Sequence, residues 1–377
     1  MKFKISTLVF SLCALAALTT SVPSFGQELI EFDAPDAGTV SLPLCAPYRG
    51  TIPNGINDLG VIVGYYTDAN IVPHGFLRTP GGKIVSFDAP GAGLGHGLNQ
   101  GTVAYSINNL GVIAGQYQDS NYVFHAFVRY PDGSFTKFDA PGAGTGAFQG
   151  TAFGGINLEG ATAGVYFDGN NVAHGFVRSP DGKFTSFDPP GSVGTYPCSQ
   201  STDCLNLEGA VVGYYIDANS TYHGFVREPD GKITEIDGPG AGTGNYLGTF
   251  TNGINLEGMI TGYVEDSNTV AHGFVRHPDG SFTRFDDPEA GNAYFQGTFA
   301  FSISRDGAIA GQYDDANNVN HGFLRSRDGK FTNFDAPGAG TGPYPQGTRP
   351  TTNNAEGVVT GWYMDANNLN HGFLWRP

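Results

Sequence analysis

The chain alternates short apolar runs with polar, glycine-rich breaks, and no apolar period of 3.6 residues runs through it. Residues 151–190 show the pattern. "TAFGGIN" predicts a strand, and "NLEG" (Asn157 to Gly160) a tight turn with glycine where positive φ is wanted. "ATAGVYF" predicts a second strand, and "DGNNVA" a turn in which Asp168 can bond nearby backbone amides. "HGFVR" predicts a third strand, followed by "SPDGK", a turn with Pro180 and Gly182 in fitting places. "FTSFD" predicts a fourth strand, ended by Pro189 and Pro190. Phe135 and Phe138 in "SFTKFD" are an odd number of residues apart and point to opposite faces. Such sheets are covered on both sides. The second strands ("VIAGQY", "ATAGVY") are rich in small residues, as crowded inner strands should be.

The same unit recurs through the chain. "HGF" or "HAF" begins at His74, His125, His174, His223, His272, His321 and His371, at spacings of 51, 49, 49, 49, 49 and 50 residues. An aspartate stands six positions before each: Asp68, Asp119, Asp168, Asp217, Asp266, Asp315 and Asp365. An asparagine follows each aspartate by two, from Asn70 to Asn367, and a glycine precedes it by four, from Gly64 to Gly361. Four short strands in about 50 residues, with regular turn signals, describe a β-propeller blade.

Residues 1–26 read as a secretory signal peptide: Lys2 and Lys4, then the apolar "LVFSLCALAAL", then Ser24 and Gly26 before a cut ahead of Gln27. Leu12 before Cys13 argues against a lipoprotein anchor. "ELIEFDAP" then reads as a fourth strand without its blade, and "NHGFLWRP" as a third strand without a fourth. Joined, they complete the last blade and hide the sheet edges. The expected fold is all-β: one domain over 27–377, a seven-bladed propeller with four antiparallel strands per blade, closed three-plus-one by the N-terminal strand. A β-solenoid is the alternative.

Composition narrows the partners. The formal net charge is −16, and loss of the two leader lysines makes it more negative. Such a chain repels phosphate backbones and anionic lipid, so nucleic acid is excluded as a partner. No segment after the leader has 18 continuous apolar residues, so no membrane span is expected. In an oxidising compartment, Cys198 would pair with Cys204 inside "CSQSTDC", leaving Cys45 over.

An aspartate six residues before a histidine could be a metal-ligand pair or a base with its orienter. Chemistry needs its groups once per site, whereas a ring needs its turn seven times. Each of the seven pairs is therefore expected to be a structural clasp across its hairpin. The "PDG" aspartates (Asp132, Asp181, Asp230, Asp279) are expected to form turns. The "FD" aspartates (Asp88, Asp139, Asp188, Asp335) are expected to cap strand exits. "DAPGAGTG" lacks the lysine and helix of a phosphate loop, and the "D-x-N" turns lack the distal glutamate of a calcium loop. No metal and no cofactor is expected.

The unit "GIN..G...G.Y.D.N...HGF.R.PDG.F..FDAPGAG" resembles the HAF family of extracellular repeat proteins. The literal signature stands here at His125-Ala126-Phe127, and the other six units read His-Gly-Phe. The resemblance covers nearly the whole chain after the leader. It implies an exported bacterial protein with a propeller-like fold, and no particular activity.

Function is then expected where the units differ, in the inter-blade loops. These carry aromatics outside the strand pattern: Tyr48, Phe148, Tyr196, Tyr246, Tyr294, Phe295 and Tyr344, with His96 in one of them. Exposed rings on a polar rim suit stacking on sugars or contact with a protein. The expected function is a secreted, monomeric, non-enzymatic binding module for a glycan or an extracellular protein. The alternative is a secreted lyase or glycan hydrolase with its site at the central mouth. For that reading His96 and Glu289 are the off-pattern polar residues near the mouth, and His277 lies on the opposite face.

Overall fold

The computed structural model describes residues 27–39, 49–95, 100–198, 203–245 and 247–377. The expected leader, and Cys45, Tyr48, His96 and Tyr246, lie outside the described residues. The described residues form 28 strands, arranged as seven four-stranded antiparallel blades. The first blade runs outward from Gly50–Ile56 through Ile62–Thr67 and Pro73–Arg78 to Ile84–Phe87. In the last blade the fourth strand comes from the other end of the chain. Glu28–Phe32 pairs antiparallel with Asn370–Arg376, from Glu28 opposite Arg376 to Phe32 opposite Gly372. Among the described residues no helix is long and apolar enough to cross a membrane.

Neighbouring blades are joined by one repeated contact. The phenylalanine of each "HGF" is buried; Phe76, Phe127, Phe225, Phe323 and Phe373 are 0% exposed. In five units its ring meets the outer-strand phenylalanine of the preceding blade edge-on, as in Phe87–Phe127 (6.4 Å, 89°) and Phe138–Phe176 (6.4 Å, 79°), whereas the fourth blade ends in Ile236 instead. The arginine two residues further on lays its guanidinium on that same outer ring: Arg78 over Phe32 at 4.7 Å, Arg129 over Phe87 at 4.7 Å, Arg178 over Phe138 at 4.5 Å. In the last blade Trp375 takes the arginine's place and stacks on Phe334 at 4.4 Å and 10°. Burying one such ring contributes roughly 1.5–3 kcal/mol, and the aromatic pairing adds to it.

Hydrogen bonds tie the same seams. The threonine after the first glycine of an inner strand accepts the backbone N–H that ends the previous blade: Ala34 on Thr51, Ala89 on Thr102, Ala140 on Thr151. Near the axis, asparagine side chains reach to the next blade's carbonyl, from Asn57 to Asn108, Asn108 to Asn157 and Asn157 to Asn206. The series continues through Asn206 and Asn255 to the Ser304 carbonyl, where serine interrupts it in the sixth blade, and Asn354 spans the seam to Asn57 at 3.2 Å. Gly50 shows why glycine opens these strands. It sits at φ +97° against Asn370 of the neighbouring blade, and a Cβ there would lie 1.9 Å from the Asn370 carbonyl oxygen.

The expected clasp between turn aspartate and histidine is the longer of two histidine contacts. In all seven units His Nε2 lies 3.7–3.8 Å from the turn carboxylate. That is within ionic range but too long for a hydrogen bond. The turn aspartate is engaged elsewhere: Asp119 Oδ1 accepts the backbone N–H groups of Asn121 and Val123 at 2.8 and 2.9 Å, a local turn bond. The short contact of each histidine goes outward, from Nδ1 to the "FD" aspartate at 2.7–3.1 Å. The partners are Asp88, Asp139, Asp188, Asp237, Asp286, Asp335 and, across the seam, Asp33. The "FD" aspartates therefore bind the third strand to the fourth rather than only capping a strand exit. A second-strand tyrosine stacks on the histidine, as in Tyr117–His125 (4.9 Å).

Cys198 and Cys204 are joined as a disulfide in the fourth blade. Beside it, Asp203 reaches the last blade, where Thr352 donates to its carboxylate at 2.8 Å, and its carbonyl accepts Ile254 N–H at 2.9 Å. Burial pushes the Asp203 carboxyl up to about 6.

Two predictions follow the seams. A chain lacking residues 27–33 loses the strand that covers Asn370–Arg376. Its midpoint of thermal unfolding falls by about 10 °C or more, and an unchanged melting curve would contradict closure at this seam. The second concerns pH. The hydrogen bond to Asp139 raises the His125 pKa, and His74, His321 and His371 are raised by the same kind of bond. Their stabilisation is complete below the unfolded imidazole value of about 6.5 and is lost as pH rises through the raised folded values. Asp168 and Asp217 are lowered by the backbone N–H groups of Val172 and Thr221, and theirs is lost as pH falls through the carboxyl range. The contribution of these histidines and turn aspartates therefore peaks between about pH 4.5 and 6.5. His125→Ala costs on the order of 1 kcal/mol at the peak, and less at pH 8, as read by urea titration at both pH values.

Candidate functional site

Two kinds of loop share one rim of the ring. The inter-blade loop docks on the hairpin turn of the blade it leaves: Phe148 N–H donates to Tyr122 O at 2.7 Å, Phe295 N–H to Thr269 O at 3.2 Å, and Tyr344 N–H to Asn318 O at 2.7 Å. Phe148 and Phe295 take positive φ, +63° and +59°, and their side chains stand out from the rim. Phe148, Tyr294, Phe295 and Tyr344 are between 52% and 66% exposed.

Three of these aromatics border one cavity. Tyr294 and Phe295, with ring centroids 4.1 Å apart, come from the loop between the fifth and sixth blades, and Tyr344 from the next loop. The cavity they overhang has a volume of about 1030 Å³. Its walls are strand residues of the fifth, sixth and seventh blades: Tyr263, Glu265, Phe299, Phe301, Gln312, Asp314, Arg349, Pro350, Thr351 and Trp362, with Asn318 and Pro343 at the rim.

Strand register explains why these side chains converge. The residue after the buried threonine of each inner strand faces a second-strand residue: Ile52 with Tyr65, Val103 with Gln116, Ala152 with Val165, Tyr196 with Tyr214, Phe250 with Tyr263. In the sixth and seventh blades the pairs are Phe299 with Gln312 and Arg349 with Trp362. Two residues further along the second strand, on the same face, the first three blades carry Thr67, Gln118 and Phe167 and the fourth Ile216. The fifth carries Glu265 and the sixth Asp314. An ordinary packing position has thus become charged in adjacent blades.

The charged groups differ in their surroundings. Asp314 is only 6% exposed. It accepts from the Asn320 side-chain amide and, at 3.2 Å, from Gln312 Nε2. Arg349 Nε donates to Asn320 Oδ1 at 2.8 Å, and its guanidinium lies 4.8 Å from the ring centres of both Tyr344 and Trp362. Its Nη2 is buried without a hydrogen-bond partner among the described residues. Burial pushes the Asp314 carboxyl up to about 6, against the opposing pull of Asn320 and Arg349. Glu265 is half-buried, its carboxylate has no hydrogen bond or ion pair among the described residues, and desolvation alone pushes it up to about 7.

The other sequence candidates sit apart from this cavity. Tyr196 lies in the strand Ser192–Pro197 rather than in a loop, stacked on Tyr214 at 5.3 Å. Phe148 packs 5.8 Å from Tyr122 on the second blade. Glu289 accepts from Tyr313 OH at 2.8 Å, and His277 Nε2 lies 3.0 Å from Thr283 Oγ1 beside its "PDG" turn. His223, Glu235 and Asp237 bring three potential ligand atoms within 4.8 Å of one another. They are already engaged, His223 with Asp237 and Glu235 with Tyr215 OH. Arg349, Asp314, Glu265 and Trp362 lie in strands, outside the inter-blade loops where function was expected. Their signal is visible in "GTRPTTN" against "GTFAFSI", and in "YVED" and "QYDD" against "VYFD".

Glu265 lacks a partner, which gives a sign to its effect on stability. Its folded value lies above the unfolded carboxyl value, so the folded state binds the proton more tightly and stability falls as pH rises from about 4.5 to 7. Glu265→Gln is therefore more stable than the native chain at pH 8, by on the order of 1 kcal/mol after allowing for solvent screening. At pH 4 the two unfold alike in denaturant titrations.

No family model and no curated protein matches the chain. Among solved structures it is similar to a streptogramin B lyase, at 16% identity and a TM-score of 0.54, over 92% of this chain and 97% of that one. It is also similar to a puromycin hydrolase, at 13% identity and a TM-score of 0.52, over 89% of this chain and 54% of that one. The chain therefore spans about half of the hydrolase. Both likenesses are of the propeller fold, at identities too low to carry an activity across.

Proposed function

We propose that the protein is an exported binding module that holds a glycan in the cavity between its fifth, sixth and seventh blades. The observation that carries this reading is the pairing of rings and fixed polar groups in one concavity: Tyr294, Phe295, Tyr344 and Trp362 beside Arg349, Asp314 and Asn320. Sugar rings present apolar C–H faces and a fringe of hydroxyls, and such a site offers partners for both. A concave pocket of this size suits a few sugar residues better than the flat face of a protein partner. Export rests on the leader read at residues 1–26.

A second reading, a glycan lyase or hydrolase, is favoured by the raised carboxyls of Asp314 and Glu265 in the same cavity. Against it, Asp314 is tied by Asn320 and Gln312, an arrangement that orients it. Binding is therefore the function proposed.

A glycan array with the purified chain, followed by titration of the best sugar, tests both readings. One sugar class gives a saturable signal, Tyr344→Ala weakens it about tenfold or more, and Phe148→Ala leaves it unchanged. Absence of any sugar signal, or an unaffected Tyr344→Ala, refutes the binding site. Polysaccharide turnover abolished by Asp314→Asn would replace the binding reading with the enzymatic one.

A further inference from the structure

The charged residues lining the cavity are Glu265, Asp314 and Arg349. Asp314 and Arg349 are bridged through Asn320, carboxylate to amide and amide to guanidinium, and their charges offset one another. Glu265 has no such partner among the described residues and stands in the wall beside Tyr263, whose ring faces Phe299 at 5.1 Å. A carboxylate half-buried in the wall of a cavity lined by aromatic residues is costly unless a cation meets it. Rings attract the same cation through their faces. Arg349 makes a second, opposite demand, since its buried Nη2 has a hydrogen to give and no acceptor among the described residues.

We propose that the cavity selects a ligand with one protonated amine and nearby oxygen acceptors, an amino sugar with its nitrogen free, the amine meeting Glu265 and an oxygen meeting Arg349. This rests on the glycan reading above and adds the charge of the ligand to it. A neutral sugar leaves the Glu265 charge uncompensated. An N-acetylated sugar has lost the cation and adds bulk at the same atom. A uronic acid would face Glu265 and the general negative charge of the chain.

Calorimetric titration of the full chain with three tetrasaccharides of one backbone tests this: glucosamine units with free amines, their N-acetylated form, and plain glucose. The free-amine tetrasaccharide binds at least about tenfold more tightly than either other probe. High salt weakens it selectively, and Glu265→Gln brings the three within about twofold. Equal affinities in the native protein, or a preference that survives Glu265→Gln, overturn the amine inference while the glycan site stands. If none of the three binds, but a different sugar class does so in a Tyr344-dependent way, the amine inference falls alone. If no sugar binds at all, both fall. The comparison of probes on the native chain needs no variant, so it holds even if Glu265→Gln folds poorly.

Discussion

Six of the seven blades end in an outer phenylalanine that the next blade covers, and the fourth ends in Ile236. Such a ring needs the "HGF" phenylalanine and the arginine of the next blade, as Phe87 needs Phe127 and Arg129. The constraint passes from blade to blade, so the assembly is satisfied only when the last blade meets the first. Phe32 supplies the ring for Phe76 and Arg78 across the seam, from a strand that belongs by pairing to the seventh blade. Closure completes this contact, and the inter-blade asparagine bonds and the glycines that open six of the inner strands let neighbouring blades approach closely enough to make it.

The scaffold explains why so much apparent chemistry is structural. Aspartate, asparagine and histidine recur seven times because each turn needs a carboxylate on its own amides, and each third strand needs a tie to the fourth. Groups satisfied in this way have little left to offer a ligand. The exceptions gather in one sector. Among the described residues the Glu265 carboxylate lacks a partner and Arg349 has a buried donor to give, while Tyr294 and Tyr344 stand in solvent. A ring of equivalent units can carry such a departure locally, because each blade packs chiefly on its two neighbours, although Asp203 of the disulfide-bearing fourth blade also reaches Thr352 of the seventh.

Much of this was legible beforehand. Strand period, turn residues and a spacing of about 50 residues were enough to foresee blades, and the two chain ends to foresee the seam. The pairing of Cys198 with Cys204 was also readable, because only six residues separate them. The histidine's true partner was not. Asp139 lies fourteen residues from His125, and only the register of the third strand against the fourth sets them side by side. Tyr196 looked like a loop residue because the fourth unit departs from the common motif, yet it is paired in a strand with Tyr214.

The local pattern of the chain by itself determined the repeat, the strands, the turns and the closure, because these depend on neighbours in sequence or on the two ends matching one motif. Tertiary structure decided which of the odd residues meet. Glu265, Asp314 and Arg349 come from three blades and are separated by 49 and 35 positions. They share a cavity only because the ring turns the same face of successive blades toward one mouth, and no local rule of sequence records that rotation.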